Sequence, residues 1–315
     1  MKLVISIDVE EEGLFCGQYA RKPSGLKNVA HLRRIEFISK KFGLPLTLLA
    51  TYPVACDPSC RDVLLSWRDD LRAEIGAHLH PWNTPPLEEM PFPEPVPSDL
   101  IPMPLLRAKL GNLTAAIQEN LRVVPRAFRM GRFDFGEQIA SLLPDHEFLV
   151  DSSIVPLRRA AGGPDHFLAP PDPHWLGYRA EPSTILEAPL TMVPVGKLSG
   201  QLIHRLAQTL PRRKADLLLA VFRYTTVLGI HPAWYPLASM KWAARLHRQR
   251  GGKVLNMFFH SSEIAPGATP KYRTEAAVQR LVKKIGTFLE WLARTGPVHG
   301  VTLSELYPAK VVTRK

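Results

Sequence analysis

The sequence predicts an α/β fold organised around a parallel sheet or barrel. Apolar, β-branched runs typical of strands covered on both faces occur at residues 3–7, 46–52 and 73–78. Between the first two runs, residues 28–42 have apolar side chains at helical spacing, namely Val29, Leu32, Ile35 and Ile38. Strands that alternate with helices at this spacing run parallel, and ligands bind at their carboxyl ends.

The alternation continues along most of the chain. We predict further helices at 59–71, 104–121, 134–143 and 274–293, and strands at 124–130, 147–150, 185–191, 253–260 and 299–303. Residues 156–184 carry many prolines and glycines and are expected to form an ordered excursion from the core. We interpret residues 1–315 as a single domain, which the length of the chain allows.

Two insertions interrupt the alternation. Residues 81–104 are too rich in proline for a regular element, and such a loop is expected to form a rim of the site. Residues 197–250 contain a basic stretch at 211–214 and an apolar run at 217–230. The run is too short and too polar at its centre to span a bilayer, so it is either a core helix or an interfacial one. We predict helices here, packed over the rim of the site or at its side.

The amino-acid composition indicates which kinds of binding partner the protein has. The 315 residues, 45% of them hydrophobic, can bury a large core, and 40 Lys and Arg against 29 Asp and Glu give a net charge of +11. Such a charge indicates an anionic partner or a membrane surface. Nucleic acid is not expected, because the basic residues are dispersed and no helix-turn-helix, RNP-like or paired zinc-ligand motif is present.

The sequence also indicates a compartment. The apolar run after Met1 stops at Asp8, which is too early for a signal peptide. Three cysteines do not make a disulfide framework. We expect a cytoplasmic protein, and contact with the inner face of the membrane remains an open alternative.

Polar side chains follow two of the predicted strands in an i, i+2 pattern. Asp8 and Glu10 end the first strand, and His78 and His80, followed by Trp82, end the third. Each pair shares a face of an extended backbone and could bind one metal ion beside a general base. Taken alone, His-x-His pairs are common at exposed strand ends, and a Glu10-Glu11-Glu12 run is usually a solvated loop. Their recurrence at strand ends favours a metal site.

Five stretches carry a resemblance to a known family. They are Ser6-Ile7-Asp8-Val9-Glu10, Glu74-Ile75-Gly76-Ala77-His78 with His80-Pro81, Phe128-Arg129-Met130-Gly131-Arg132-Phe133, Val150-Asp151-Ser152-Ser153 and Phe258-Phe259-His260. In this order they resemble the motifs of the NodB-type polysaccharide deacetylases, carbohydrate esterase family four. The WbmS/WalW-like group, found with surface-polysaccharide biosynthesis proteins, is especially similar. The resemblance covers most of residues 2–305, outside the two insertions.

The resemblance implies a distorted (β/α)7-type barrel with loop and helical insertions. It also implies a metal-dependent hydrolase that removes an N-acetyl or N-formyl group from an amino sugar. The substrate would be an anionic sugar, nucleotide- or polyprenyl-linked, in a cytoplasmic precursor of surface polysaccharide of the O-antigen or lipopolysaccharide type. The alternative is a catalytically inactive barrel that binds a sugar or a lipid-linked saccharide.

The resemblance also implies roles for site residues. The catalytic residues would be Asp8 as base, Arg129 as the group that orients this base, and His260 as general acid. The ligands of a divalent metal, expected to be Zn²⁺, would be Glu10, His78 and His80. The substrate would be bound by Trp82, Arg132 and Asp151. The sequence departs from the family in two places. One residue instead of three separates the histidines, and Asp-x-Glu replaces adjacent aspartates, so that Asp8 and Glu10 could exchange roles. Without the motifs, Arg129 could pair with any buried acid and His260 could be a core histidine.

Overall fold

A computed structural model describes residues 1–159, 165–177 and 184–308. Its strands are β1 (Lys2–Val9), β2 (Thr47–Ala50), β3 (Glu74–Leu79), β4 (Ala127–Met130), β5 (Val150–Asp151), β6 (His174–Trp175), β7 (Leu186–Glu187), β8 (Met192–Pro194), β9 (Val227–Gly229), β10 (Val254–His260) and β11 (His299–Gly300). Its α-helices are α1 (Phe37–Phe42), α2 (Tyr52–Cys56), α3 (Pro58–Leu71), α4 (Met103–Leu121), α5 (Glu137–Leu142), α6 (Ser199–Gln208), α7 (Arg212–Thr226), α8 (Leu237–Gln249) and α9 (Glu275–Arg294).

The main sheet is a curled, mostly parallel half-barrel. Seven strands run parallel in the order β10-β1-β2-β3-β4-β5-β7, while β6 pairs antiparallel with β7 and β11 joins β1. The segment after β7 reaches back to β10, where Thr191 N–H donates to the Asn256 carbonyl (3.1 Å) and Asn256 Nδ2 donates to the Ala188 carbonyl (2.9 Å). The predicted distorted (β/α)7-type barrel is confirmed.

Strand alternation divides the barrel interior into layers. Leu3, Ile5 and Ile7 of β1 join the core between the sheet and the helices, whereas Val4 packs with Leu49 and other inward residues. The inward residues nearest the amino ends of the strands form an apolar floor of Val4, Leu49, Ala127, Val150 and Val254. Because successive side chains alternate faces, β1 places Ser6 and then Asp8 above this floor. The polar groups therefore collect at the carboxyl edge.

Several element boundaries differ from the sequence-based expectation. The predicted helix at 28–42 is split into a 3-10 segment, Lys27–Ile35, and α1. The strand expected at 46–52 stops at Ala50, because Pro53 lies in the first turn of α2 and its fixed φ favours that position. The strand expected at 185–191 is reduced to β7, since the chain then crosses to β10.

The excursion predicted at 156–184 is described only in part. Residues 160–164 and 178–183 lie outside the described residues. Within the described part, β6 extends the edge of the sheet beyond β7.

The two insertions differ in structure. The only regular element within 81–104, before α4 begins, is a 3-10 turn at Ser98–Leu100, and Lys109 of α4 anchors the loop by donating to the Thr84 carbonyl (2.7 Å). The second insertion forms α6, α7 and α8, as predicted, and also β9, which pairs antiparallel with β8. In the described part of the chain, no helix is both long and apolar enough to cross a membrane.

Candidate active site

A cavity opens at the carboxyl edge of the sheet. Its lining includes Asp8, Glu10, His78, His80 and His260, and its volume, with the open mouth, is about 690 Å³. Aromatic and basic side chains complete the wall: Phe15, Tyr19, Trp82, Arg132, Phe133, Arg158 and Trp234. Asp8 is in register with His260 on the neighbouring strand. His78, near the end of β3, and His80, just after β3, approach Asp8 from the other side.

Glu10, His78 and His80 come together as a candidate metal triad. Glu10 Oε2 lies 3.4 Å from His78 Nε2 and 3.5 Å from His80 Nε2. The Nδ1 atoms face acceptors of their own, the Arg129 carbonyl at 3.0 Å for His78 and Glu11 Oε1 at 2.9 Å for His80. If each Nδ1 carries the proton, both Nε2 lone pairs point toward Glu10, the tautomer required for metal binding.

The triad fits a first-row divalent metal. Two imidazoles and one carboxylate are the ligand set of open zinc sites. Burial raises the pKa of Glu10 to about 8, and the attraction of His260 and His80 only partly opposes this rise. The protein thus leaves a buried carboxylate without full charge compensation, which a cation would supply. Asp8 fits this role less well than Glu10, because its Oδ2 lies 3.8 Å from His78 and its Oδ1 binds Arg129.

Arg129 holds Asp8 in the interior of the barrel. Its guanidinium is fully buried and donates through Nη1 to Asp8 Oδ1, through Nη2 to Ser6 Oγ (2.8 Å) and through Nε to the Ser152 carbonyl (2.7 Å). Burial alone would raise the pKa of Asp8, but Arg129, His78 and His260 outweigh it and lower the pKa to about 2. Asp8 is therefore an ionised acceptor whose Oδ2 faces the cavity.

His260 is held by a carboxylate that sequence reasoning missed. Glu263 Oε2 accepts from the His260 backbone N–H (2.9 Å) and lies 3.1 Å from His260 Nδ1. This leaves His260 Nε2 toward the cavity, 3.7 Å from Asp8 Oδ2. Burial alone would lower the pKa of His260, but the attraction of Glu10, Glu263 and Asp8 outweighs burial and raises the pKa to about 9. His260 and Glu263 form a capping box with histidine in the place usual for Ser or Thr, and only the Glu at the fourth position was a signal in the sequence.

His231 lies behind the same carboxylate. Its Nδ1 accepts from the backbone N–H groups of Ala233 (3.1 Å) and Trp234 (3.2 Å), and its Nε2 lies 3.7 Å from Glu263 Oε2. His231, His260 and Glu263 also approach closely enough to hold an ion. However, the first histidine uses Nδ1 as an acceptor for the backbone, and the carboxylate is already committed to His260. We therefore assign this group the task of positioning His260.

Glu11 is the second carboxylate that the sequence did not reveal. Glu10 and Glu11 are only 4% and 2% exposed, so the alternative of a solvated loop at residues 10–12 does not hold for these two. Glu11 Oε1 accepts from His80 Nδ1 (2.9 Å), Trp82 Nε1 (3.2 Å) and Asn83 Nδ2 (2.6 Å). Burial raises the pKa of Glu11, but His80 and these hydrogen bonds lower it to about 2. A charged carboxylate thus orients the imidazole of His80.

The three predicted substrate-binding residues have different positions. Trp82 and Arg132 line the cavity, and the Trp82 indole stacks on His80 with ring centroids 4.2 Å apart. Asp151 does not line it. Asp151 is in register with Phe128, whose side chain faces the helices, and with Glu187, so its carboxylate is buried on the outer face of the sheet. There the carboxylate accepts from Ser153 N–H (3.0 Å). This position on the outer face corrects the expectation that Asp151 contacts substrate.

Comparison with known proteins gives the fold. No protein-family model and no curated protein sequence match the chain. Among solved structures, a protein from Parabacteroides distasonis assigned as a glycoside hydrolase/deacetylase aligns with a TM-score of 0.63 and 11% identity, covering 100% of this chain and 72% of the other. A protein from Mycobacterium smegmatis assigned as a polysaccharide deacetylase aligns with a TM-score of 0.58 and 16% identity, covering 97% of this chain and 88% of the other. The allantoinase Puue aligns with a TM-score of 0.53 and 15% identity, and the coverage of the two chains is again 97% and 88%. The chain shares the fold of these proteins.

Proposed function

We propose that this protein is a metal-dependent hydrolase that removes an N-acetyl or N-formyl group from an amino sugar. The observation that carries this proposal is the convergence of three groups in one cavity. The Glu10–His78–His80 triad lies beside an arginine-held carboxylate, Asp8, and a carboxylate-held imidazole, His260. Amide hydrolysis needs these three components, an electrophilic centre, a base and an acid.

The side chains divide the proton transfers between them. A divalent ion bound by Glu10, His78 and His80 would lower the pKa of a water molecule and polarise the acyl carbonyl. Asp8 keeps Oδ1 on Arg129 and directs Oδ2 into the cavity, where it can accept the proton of the attacking water. His260 directs Nε2 to the same space and can protonate the leaving amine, which would otherwise depart as an unstable anion.

We propose an anionic sugar as substrate, nucleotide- or polyprenyl-linked, in a cytoplasmic precursor of surface polysaccharide of the O-antigen or lipopolysaccharide type. The net charge of +11 and the arginines in the cavity wall, Arg132 and Arg158, support an anionic substrate. Three free cysteines, two of them exposed, are compatible with a reducing compartment. The five motifs that resemble the WbmS/WalW-like group support the surface-polysaccharide assignment.

The test couples metal content to acyl release. Protein stripped with a chelator and reloaded with one equivalent of Zn²⁺ should release acetate from UDP-N-acetylglucosamine, or formate from an N-formylated amino-sugar nucleotide. The Asp8→Asn variant should retain the metal and lose the release. Zinc-loaded protein that binds such a sugar but releases no acyl group from any of these substrates would instead favour the inactive, saccharide-binding barrel.

We also propose that the protein contacts an anionic membrane through α6 and α7. Leu198, Leu202 and Leu206 form an exposed stripe at i, i+4 spacing, while α6 buries Ala207 against the core beneath. In α7 the exposed stripe is Leu217, Val221 and Tyr224, and the buried face is Ala215, Leu219 and Phe222. At about 100° per residue, both stripes lie on the side of their helices away from the core.

The charge of this face supports a lipid surface as its occupant. Residues 197–226 contain six Lys or Arg and one acid, Asp216. Leu202, Leu217 and Tyr224 are 63%, 65% and 81% exposed, so the apolar stripes are uncovered. An amphipathic surface with a basic flank binds at the interface of anionic bilayers.

Vesicle sedimentation tests this contact. The protein should co-sediment with phosphatidylglycerol vesicles and not with phosphatidylcholine vesicles, and Leu202→Glu with Val221→Glu should abolish it. Val124→Glu, at an exposed apolar position outside the two helices, is the matched control. Absence of binding to anionic vesicles would refute the contact, as would a dimer in sedimentation velocity that the two substitutions dissociate.

A further inference from the structure

Three arginines at the cavity wall form no ion pair with any residue that the structure describes. Arg132 and Arg158 line the cavity, and Arg223 lies against Trp234 of its wall. Within the described residues, none of the three guanidiniums has a carboxylate within ion-pair distance or a side-chain hydrogen bond. By contrast, the neighbouring Arg159 pairs with Asp216 at 3.6 Å. In the part of the chain that the structure describes, no carboxylate therefore forms an ion pair with any of these three guanidiniums.

Each of these guanidiniums is seated on an aromatic ring of the wall. Arg132 lies over Tyr19 (4.9 Å to the centroid), Arg158 over Phe133 (5.6 Å) and Arg223 over Trp234 (5.6 Å). A guanidinium that stacks on a ring keeps its N–H donors free in its own plane. The rings thus fix the position of the arginines while leaving their donors available to a ligand.

The proximity of the three charges is energetically unfavourable without a ligand. Burial lowers the pKa of Arg158 to about 10, and repulsion by Arg223 and Arg132 contributes to this shift. Clusters of like charge persist where an anion offsets the repulsion, and the fork of a guanidinium matches phosphate oxygens. The contacts with aromatic rings and the lack of ion pairs among the described residues both indicate a phosphate ligand.

We infer that Arg132, Arg158 and Arg223 form a subsite for a phosphoryl group of the substrate, at the wall of the cavity that also holds the Glu10–His78–His80 triad. This inference rests on the proposed function, because it places the phosphate of a phosphorylated amino sugar next to the groups that would hydrolyse its amide. The phosphate could belong to a nucleotide or to a polyprenyl carrier, and both present the same oxygens.

Binding measured by calorimetry, with no turnover required, tests the subsite. The probes are UDP-N-acetylglucosamine, geranyl phosphate and the uncharged methyl N-acetylglucosaminide. One charge-assisted hydrogen bond contributes about 1.5–3 kcal/mol, so Arg158→Gln should weaken the two phosphorylated probes by roughly 10-fold or more. The methyl glycoside should bind the variant and the wild type equally. A larger effect on the nucleotide than on geranyl phosphate, or the reverse, identifies the source of the phosphate.

Controls separate this inference from the proposed function. Arg159→Gln removes a neighbouring charge that already has a partner and should change no affinity. Arg132→Gln, at an exposed position, should repeat the effect of Arg158→Gln and covers the case in which the latter does not fold. Equal affinities of wild type and both variants for the phosphorylated probes would overturn the subsite even if acyl release persists. Conversely, selective loss of phosphate binding would support the subsite even in a protein that releases no acyl group.

Discussion

Replacing Glu11 tests whether a buried carboxylate controls the metal site through His80. Glu11 Oε1 accepts three hydrogen bonds, from His80, Trp82 and Asn83, at 2.9, 3.2 and 2.6 Å. Glu11→Ala leaves three buried donors unpaired, at about 1–3 kcal/mol each, so we expect the metal-free protein to lose at least about 3 kcal/mol of unfolding free energy. Loss of such a partner typically weakens metal binding by about 10–100-fold.

Glu11→Gln separates charge from shape. It keeps an oxygen for the three donors and removes the charge, but it places an amide group where Glu11 Oε2 has no partner among the described residues. We expect roughly 10-fold weaker Zn²⁺ binding in competition with a chromogenic chelator, with a smaller loss of stability in urea than in Glu11→Ala. Glu12→Gln is the matched control, since Glu12 accepts from Asn28 N–H (3.0 Å) and touches no histidine of the triad. Wild-type zinc affinity in both Glu11 variants would refute the reasoning.

His78→Ala should lose bound Zn²⁺ in emission spectrometry because it removes a ligand nitrogen, whereas His260→Ala should keep full metal content and lose acyl release. Full metal content in the first variant, or full activity in the second, would reverse these role assignments. Arg129→Met should lower the unfolding free energy in urea by about 3–5 kcal/mol, since it leaves Asp8 buried without its partner; an unchanged urea midpoint would contradict this. Thr274→Ala should cost about 1 kcal/mol, because Thr274 caps α9 by accepting from Ala277 N–H (3.3 Å), and a stability equal to wild type would show that the cap contributes nothing.

Strand periodicity accounts for what the sequence could predict of the site. A buried strand alternates its side chains, so Asp8 faces the barrel interior once Ile7 faces the helices. The same rule places His78 inside, and the parallel order brings it to the same edge as His260. These assignments need only the period of two and the rule that parallel strands end together.

The same periodicity explains the failure at Asp151. The motif that contains Asp151 does coincide with a strand of the sheet, β5. This strand has only two residues, too few for the sequence to show which of them faces inward. The register with Phe128 puts Asp151 on the outer face, beside Glu187. A motif position therefore located the strand without locating the side chain.

Glu11 and Glu263 could not be assigned because both follow the ends of strands. Beyond Val9 and His260 the backbone leaves the extended conformation, and side-chain direction is then set by contacts distant in sequence. Glu11 is fixed by Asn83, which is 72 residues away in the insertion at 81–104. Glu263 faces His231, which lies in the insertion at 197–250. These long-range partners are brought together only by the folded chain, and the one local signal was the His-x-x-Glu spacing at Glu263.

The central claim is that Glu10, His78 and His80 bind a catalytic metal, and X-ray absorption at the zinc edge of protein loaded with one equivalent of Zn²⁺ tests it most directly. The spectrum should show two imidazoles with oxygen ligands and no sulfur, and His80→Ala should reduce the imidazole signal by one. A spectrum with cysteine sulfur, or one that is unchanged in His80→Ala, would contradict the account.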